Sequence, residues 1–159
     1  MKKFTLSFGA LATAGLIAFS TFTFTSCTKT KGCKTPEDDN YDAAAEEADA
    51  TKCNPTGTVS KFLGNYTGSE SCTSGSDNYT IEIVTGSSDY SIKIKNLYNA
   101  GATFVINANV SQKNITIPNQ TVSGVTINGS GTLNGNALSL TFNLSSSGGS
   151  DNCTFNGTK

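Results

Sequence analysis

From position 61 to the end of the chain, apolar residues recur at every second position in short runs, each broken by Gly, Asn, Ser or Asp. A period of two places successive side chains on opposite faces of an extended strand, so a helical fold does not satisfy the pattern. Eight runs read as strands: residues 62–71, 79–85, 90–97, 103–110, 114–118, 121–133, 137–144 and 152–157. Pro118 marks the end of the fifth run or an edge position. Gly124 and Gly129 mark kinks in the sixth, and Asn134-Gly135 is the strongest hairpin signal in the chain. One face gathers Tyr79, Ile81, Ile83, Tyr90, Ile92, Ile94, Phe104, Ile106, Ile115, Ile117, Leu138, Leu140, Phe142 and Leu144. The other carries Thr80, Glu82, Lys93, Lys95, Asn107, Asn109, Thr116, Ser139 and Asn143. One dry face and one wet face describe an antiparallel meander. Eight strands with short connections are expected to close as a small all-β, up-and-down barrel, with a β-sandwich as the alternative.

The cysteines bear on that choice. Cys72 ends the first strand and Cys153 begins the last, and in an up-and-down barrel those strands are neighbours. A bridge between them would close about 80 residues and contribute ~4.5 kcal/mol in the chain-entropy picture. Cys33 and Cys53 are natural partners in an oxidising compartment. Between them, Thr35-Pro36-Glu37-Asp38 offers a helix start, and the Ala/Glu-rich stretch 41–50 has high helix propensity. A helix over 36–50 would be about 22 Å long, whereas the three-residue arms reach back about 10 Å each. The bridge therefore requires a shorter helix, such as 40–48, or a different pairing. Asn54-Pro55-Thr56-Gly57 reads as the turn into the barrel.

The N-terminus carries an address. Lys2 and Lys3 precede an uncharged stretch over residues 4–26, the layout of a secretory signal peptide. Phe24-Thr25-Ser26-Cys27 resembles a bacterial lipobox, which implies cleavage before Cys27 and acylation of that residue. Several acyl chains on one residue make a firm anchor. An ordinary secretory signal or an uncleaved anchor is the plainer alternative. The expected organisation is a lipoprotein signal peptide at 1–26, an acylated tether with a short helix at 27–60, and a β-barrel domain at 61–159. Glu37-Asp38-Asp39 resembles the acidic export signals of some Gram-negative surface lipoproteins; the alternative is a solvated charge run or a set of acids at a helix start. The expected location is the cell envelope, lipid-anchored to the outer membrane and facing the periplasm or the surface.

Composition limits the chemistry. The chain has no His, and all eleven basic residues are Lys, set against twelve acids. There is no imidazole base, no guanidinium clamp and no basic stripe for nucleic acid. Metal-ligand spacing is absent as well, because the cysteines form no C-x-x-C pairs. An enzyme would have to work with Glu, Asp, Lys and Tyr, so no catalytic residue and no cofactor is assigned. The bulky inward set predicts a filled interior rather than a deep pocket. Three residues are candidates for ligand contact. Glu70 shares the parity of Phe62 and Tyr66 and could orient a ligand at a barrel mouth. A strand that bulges or ends near Gly68 leaves Glu70 in water instead, and that is the preferred reading. Tyr90 and Tyr98 could line a rim, although aromatic residues at strand ends are also ordinary packing.

Four short blocks carry a resemblance: Leu63-Gly64-Asn65-Tyr66-Thr67, Lys95-Asn96-Leu97-Tyr98, Ile117-Pro118-Asn119-Gln120-Thr121-Val122 and Gly129-Ser130-Gly131-Thr132-Leu133. Together they resemble the recurring blocks of small calycin-like lipoprotein domains from Gram-negative bacteria, which are lipocalin-like barrels. Where the lipocalin first strand carries Gly-x-Trp, this chain has Gly64-Asn65-Tyr66. The expected function is that of a non-enzymatic, membrane-anchored envelope lipoprotein. Its barrel would be a binding or interaction module whose wet face meets a protein, a glycan or a polar small molecule. A lipocalin-like carrier of an apolar small molecule is the alternative, and a glycan-active enzyme using acidic residues the third. The expected partners are the membrane, through the lipid, and one such ligand; nucleic acid is not among them, and the chain is expected to be a monomer.

Overall fold

Two-residue turns join most neighbouring strands, and each one fixes the register of the pair it closes. The computed structural model describes residues 28–159, so the expected signal peptide and the acylation site Cys27 lie outside the described residues. Eight strands form the main body: β3 (Gly64–Cys72), β4 (Gly75–Thr85), β5 (Ser91–Lys95), β6 (Val105–Ser111), β7 (Asn114–Val122), β8 (Val125–Asn134), β9 (Ala137–Ser146) and β10 (Gly149–Thr158). They are preceded by a two-residue parallel pair, β1 (Lys31–Gly32) and β2 (Glu47–Ala48), and by a short helix, α1 (Pro55–Ser60). Every barrel strand pairs antiparallel with its sequence neighbour, and β10 returns to pair with β3, which closes the barrel. The sandwich alternative is excluded.

Turn chemistry moves some boundaries from where the pattern put them. Ser123 and Gly124 both take left-handed backbone (φ 51° and 81°), as a two-residue primed turn requires. The expected sixth strand is therefore split, and Thr121 and Val122 belong to β7. Pro118 does not end its strand. It sits in a register shift between Ile117 and Gln120, where the ladder to β8 skips, and the missing N–H costs no bond. On the other side, backbone pairing of β6 with β7 covers only Asn109–Ser111 against Asn114–Thr116. Beyond it the Gln120 side-chain amide substitutes for the ladder, accepting from Asn107 N–H at 2.9 Å and donating to Asn107 C=O at 2.6 Å.

The barrel interior is full. Tyr66, Ile81, Ile92, Ile94, Ile106 and Phe155 are each 0 % exposed, which leaves no water-sized space beside them. Small residues opposite large ones make this possible in a narrow barrel. Gly131 faces inward beside Leu140, and a Cβ there would come within 2.4 Å of the Leu140 side chain. At the seam, Gly68 stands opposite Gly157, and a Cβ on Gly68 would meet the Asn156 carbonyl at 2.0 Å. Outside, Thr67 with Thr80 and Thr121 with Thr126 exchange cross-strand hydroxyl bonds, the expected fate of wet-face residues.

The segment expected to be a tether is a folded cap, and the helix expected within 36–50 is not there. Two physical reasons suffice. The Cys33–Cys53 disulfide brings those Cα atoms to 4.9 Å, so the chain between them must turn back. Asp side chains also capture the backbone locally: Asn40 N–H on Asp38, Ala44 N–H on Asp42 and Thr51 N–H on Asp49. Such bonds compete with a helix. The helix forms instead at Asn54-Pro55-Thr56-Gly57, the expected turn. Asn54 Oδ1 caps Gly57 N–H at 2.9 Å, and Pro55 occupies the first helical position.

The cap seals one end of the barrel. Phe62, just after α1, is fully buried and accepts the Tyr66 hydroxyl at its carbonyl, 3.0 Å away. Lys159 donates to the carbonyls of Lys61 (2.5 Å) and Leu63 (3.1 Å) and lies 5.3 Å from the Tyr66 ring centroid. Within the acidic run, Asp38 is fully buried rather than solvated, accepting from Asn40 N–H, Asn54 N–H and the Tyr90 hydroxyl at 2.7–2.8 Å. Its burial pushes the carboxyl pKa up, but those three donors outweigh it and hold the group below the ordinary carboxylate value.

Cys72 and Cys153 are direct partners across the closing seam, their Cα atoms 4.0 Å apart and their sulfurs bonded. Replacing both with Ala is expected to lower stability by about 4.5 kcal/mol, against about 3 kcal/mol for the shorter Cys33–Cys53 loop. Equilibrium urea unfolding of the two double variants checks this ranking.

Candidate functional site

Four connections ring the end of the barrel away from the cap. Three are tight: Thr73–Ser74, Ser123–Gly124 and Ser147–Gly148. The fourth, residues 96–104 between β5 and β6, is long enough to cross the opening. It holds Asn96 (φ 62°), Tyr98 (φ 62°) and Asn99 (φ 49°) in left-handed backbone, which Asn tolerates and a bulky Tyr seldom adopts. Leu97 drops into the barrel and is fully buried. Tyr98 lies over it as a strap.

The strap is tied at several points. Tyr98 N–H donates to the Tyr79 hydroxyl at 2.9 Å, and the Tyr98 hydroxyl donates to Asp151 Oδ2 at 3.0 Å. Asn99 Nδ2 donates to Asp77 at 2.7 Å, and Asn96 Nδ2 donates to the Thr80 carbonyl at 2.8 Å. Beneath the strap, the Tyr79 hydroxyl donates in turn to Glu70. Tyr79 is itself buried, with its ring centroid 5.2 Å from that of Phe155.

Glu70 is therefore not in water. β3 runs unbroken through Gly68 to Cys72, so the parity shared with Tyr66 persists and Glu70 points inward at 4 % exposure. Burial raises its pKa above the usual carboxyl value; the Tyr79 bond opposes this, and the nearby charges of Asp77 and Asp151 add to it.

Asp151 was not singled out from the sequence. It shares the parity of Cys153 and Phe155 but lies one residue before the expected start of the last strand, which in fact begins at Gly149. Thr73 and Ser74 hydroxyls, Ser74 N–H at 3.2 Å and the Tyr98 hydroxyl all donate to it. The Ser74 and Thr73 hydroxyls above all hold its carboxyl well below the ordinary range.

The three residues with expected ligand roles do not converge. Glu70 and Tyr98 meet at the mouth through Tyr79. Tyr90 lies at the sealed end, where its hydroxyl binds Asp38; burial, followed by that bond, pushes its pKa up to about 12.

Two clefts open on either side of the strap and share Ser74 and Tyr98 as walls. One, of about 360 Å³, has Phe104, Val125 and Leu144 on its floor and Asp151 on its wall. The other, of about 380 Å³, is polar and includes Glu70, Asp77 and Asn99. Two groups of would-be metal ligands occur among the described residues, Cys33/Asp38/Cys53 and Glu70/Cys72/Cys153. In each, both sulfurs are committed to a disulfide, which leaves one carboxylate and no basis for coordination.

A carboxyl whose folded pKa is raised favours the fold when protonated, so its contribution falls as pH rises through the raised value. Glu70→Gln keeps an acceptor for Tyr79 and removes the titration. The variant is expected to be at least as stable as the parent at neutral pH, with the difference vanishing in acid, in paired thermal unfolding over a pH series. Lower stability of the variant at neutral pH would mean that the ionised carboxylate is the favoured form there. No protein-family model, curated protein or solved structure matches the chain, so its own geometry carries the functional reading.

Proposed function

We propose that the chain is a non-enzymatic envelope lipoprotein, anchored to the outer membrane through an acylated Cys27, whose barrel is a binding module that works at its mouth. The observation that carries this reading is the inequality of the two barrel ends. One is sealed by α1, Phe62 and Lys159, with the N-terminal cap docked over it through Gln112 N–H on the Glu37 carbonyl and Tyr90 on Asp38. The other carries the strapped clefts. A ligand end opposite an anchored end suits a protein that presents a site away from a membrane.

The signal-peptide layout and the lipobox-like Phe24-Thr25-Ser26-Cys27 support the anchor. Among the described residues no helix is long and apolar enough to cross a membrane. The closed eight-stranded up-and-down barrel supports the resemblance to calycin-like lipoprotein domains. The packed interior weighs against the alternative of an apolar carrier, which needs a hollow core, and moves the binding site outward to the rim.

Cys27→Ser is expected to move the protein from the membrane fraction to the soluble envelope fraction, and unchanged membrane retention would overturn the anchor. For the binding module, the labelled chain would be screened by NMR against small fragments of mixed charge. Shifts confined to Phe104, Val125, Leu144 and the strap are expected. Shifts elsewhere, or none, would overturn the mouth as the site.

A further inference from the structure

The carboxyl groups of the mouth are not matched by any basic side chain in its connections. Glu70, Asp77 and Asp151 surround the strap, and the four mouth connections contain no Lys. Among the described residues the lysine nearest the mouth in the chain is Lys95, next to Asn96 at the start of the strap, and it is paired with Glu82 at 2.9 Å; Lys93 is also on β5, Lys113 and Lys159 are at the sealed end, and the rest are in the cap or just after α1. Asp151 is fixed as an anion by its four donors, which also occupy its lone pairs. It therefore supplies a field at the cleft wall rather than a free acceptor.

The strap adds an independent observation. Among the described residues Tyr98 is one of two large apolar side chains that stay exposed, at 38 %. Left-handed backbone is unfavourable for a Tyr, yet bonds to Tyr79 and Asp151 pin it there with its ring lining both clefts. Tyr90 shares that backbone (φ 56°) but spends its hydroxyl on Asp38 at the sealed end, whereas the Tyr98 ring borders both clefts. The cleft that joins the Tyr98 ring and an apolar floor to the Asp151 carboxylate is complemented by a cation carried on an apolar body.

Resting on the mouth as the binding site, we propose that its ligand is an organic cation with an apolar portion. The apolar body would lie on Phe104, Val125 and Leu144, with its ammonium or guanidinium group against Tyr98 in the field of Asp151. The cleft of about 360 Å³ suits a small molecule or one side-chain-sized group. Its negative wall disfavours carboxylates and phosphates.

Three probes sharing one apolar body test the proposal: 4-phenylbutylammonium, 4-phenylbutanol and 4-phenylbutyrate, titrated into the detergent-extracted full chain by NMR. The ammonium is expected to bind about tenfold more tightly than the alcohol and the butyrate weakest of the three, with salt weakening only the ammonium. Tyr98→Leu is expected to remove most of the head-group preference. Equal affinity for alcohol and ammonium, or tighter binding of butyrate at the mouth, would overturn the cation assignment while leaving the mouth as a binding site. Failure of all three probes to shift mouth residues would overturn both.

Discussion

Everything in the barrel depends on β3 meeting β10. Without that pairing the meander is an open sheet with two unsatisfied edges, and open edges invite pairing with other chains. The two strands lie at opposite ends of the domain sequence, so the contact carries a large loop-entropy cost. Gly68 opposite Gly157 removes the side chains that would hold the strands apart, and Cys72 opposite Cys153 makes the contact covalent. The mouth inherits its geometry from this seam. Glu70 lies two residues before one cysteine and Asp151 two residues before the other, so the bridge also sets how far apart the two carboxylates stand.

Of the three acids buried among the described residues, Asp38 and Glu70 are treated oppositely, and Asp151 sides with Asp38. Asp38 receives three donors and stays ionised, serving as the knot between the cap, α1 and Tyr90. Glu70 receives the Tyr79 hydroxyl, sits among like charges and is driven towards its neutral form. The number of donors, not the depth of burial, decides the outcome. The first acid locks a structure; the second is held out of balance beneath the strap, where a change of charge would be felt through Tyr79 by Tyr98.

The period-two pattern was enough to reveal eight strands, their inward faces and the seam disulfide, because those depend on alternation and on which strands become neighbours. Three kinds of feature escaped it. Helix propensity in 41–50 lost to side chain–backbone bonds and a disulfide, while the capping signal at Asn54-Pro55 was read as a turn. A bulge or strand end near Gly68 would leave Glu70 in water, but β3 continues to Cys72, and the partner that makes burial tolerable, Tyr79, is set by cross-strand register rather than by spacing. The strap was invisible because its conformation depends on bonds to β4 and β10, which no local sequence signal encodes. The candidate site was legible as parity and chemistry, in Glu70 and Tyr98, but not as an assembly.

The Gln120 amide has a mechanical meaning. Most of the barrel wall is joined by continuous backbone ladders, whereas β6 and β7 share a ladder over three residues and are then held by one side chain. β4 and β5 likewise share only four backbone pairs, so the wall from β4 to β7 has shorter ladders than the seam, where six pairs and a disulfide join β10 to β3. Backbone hydrogen bonds therefore resist deformation less along that stretch than at the seam.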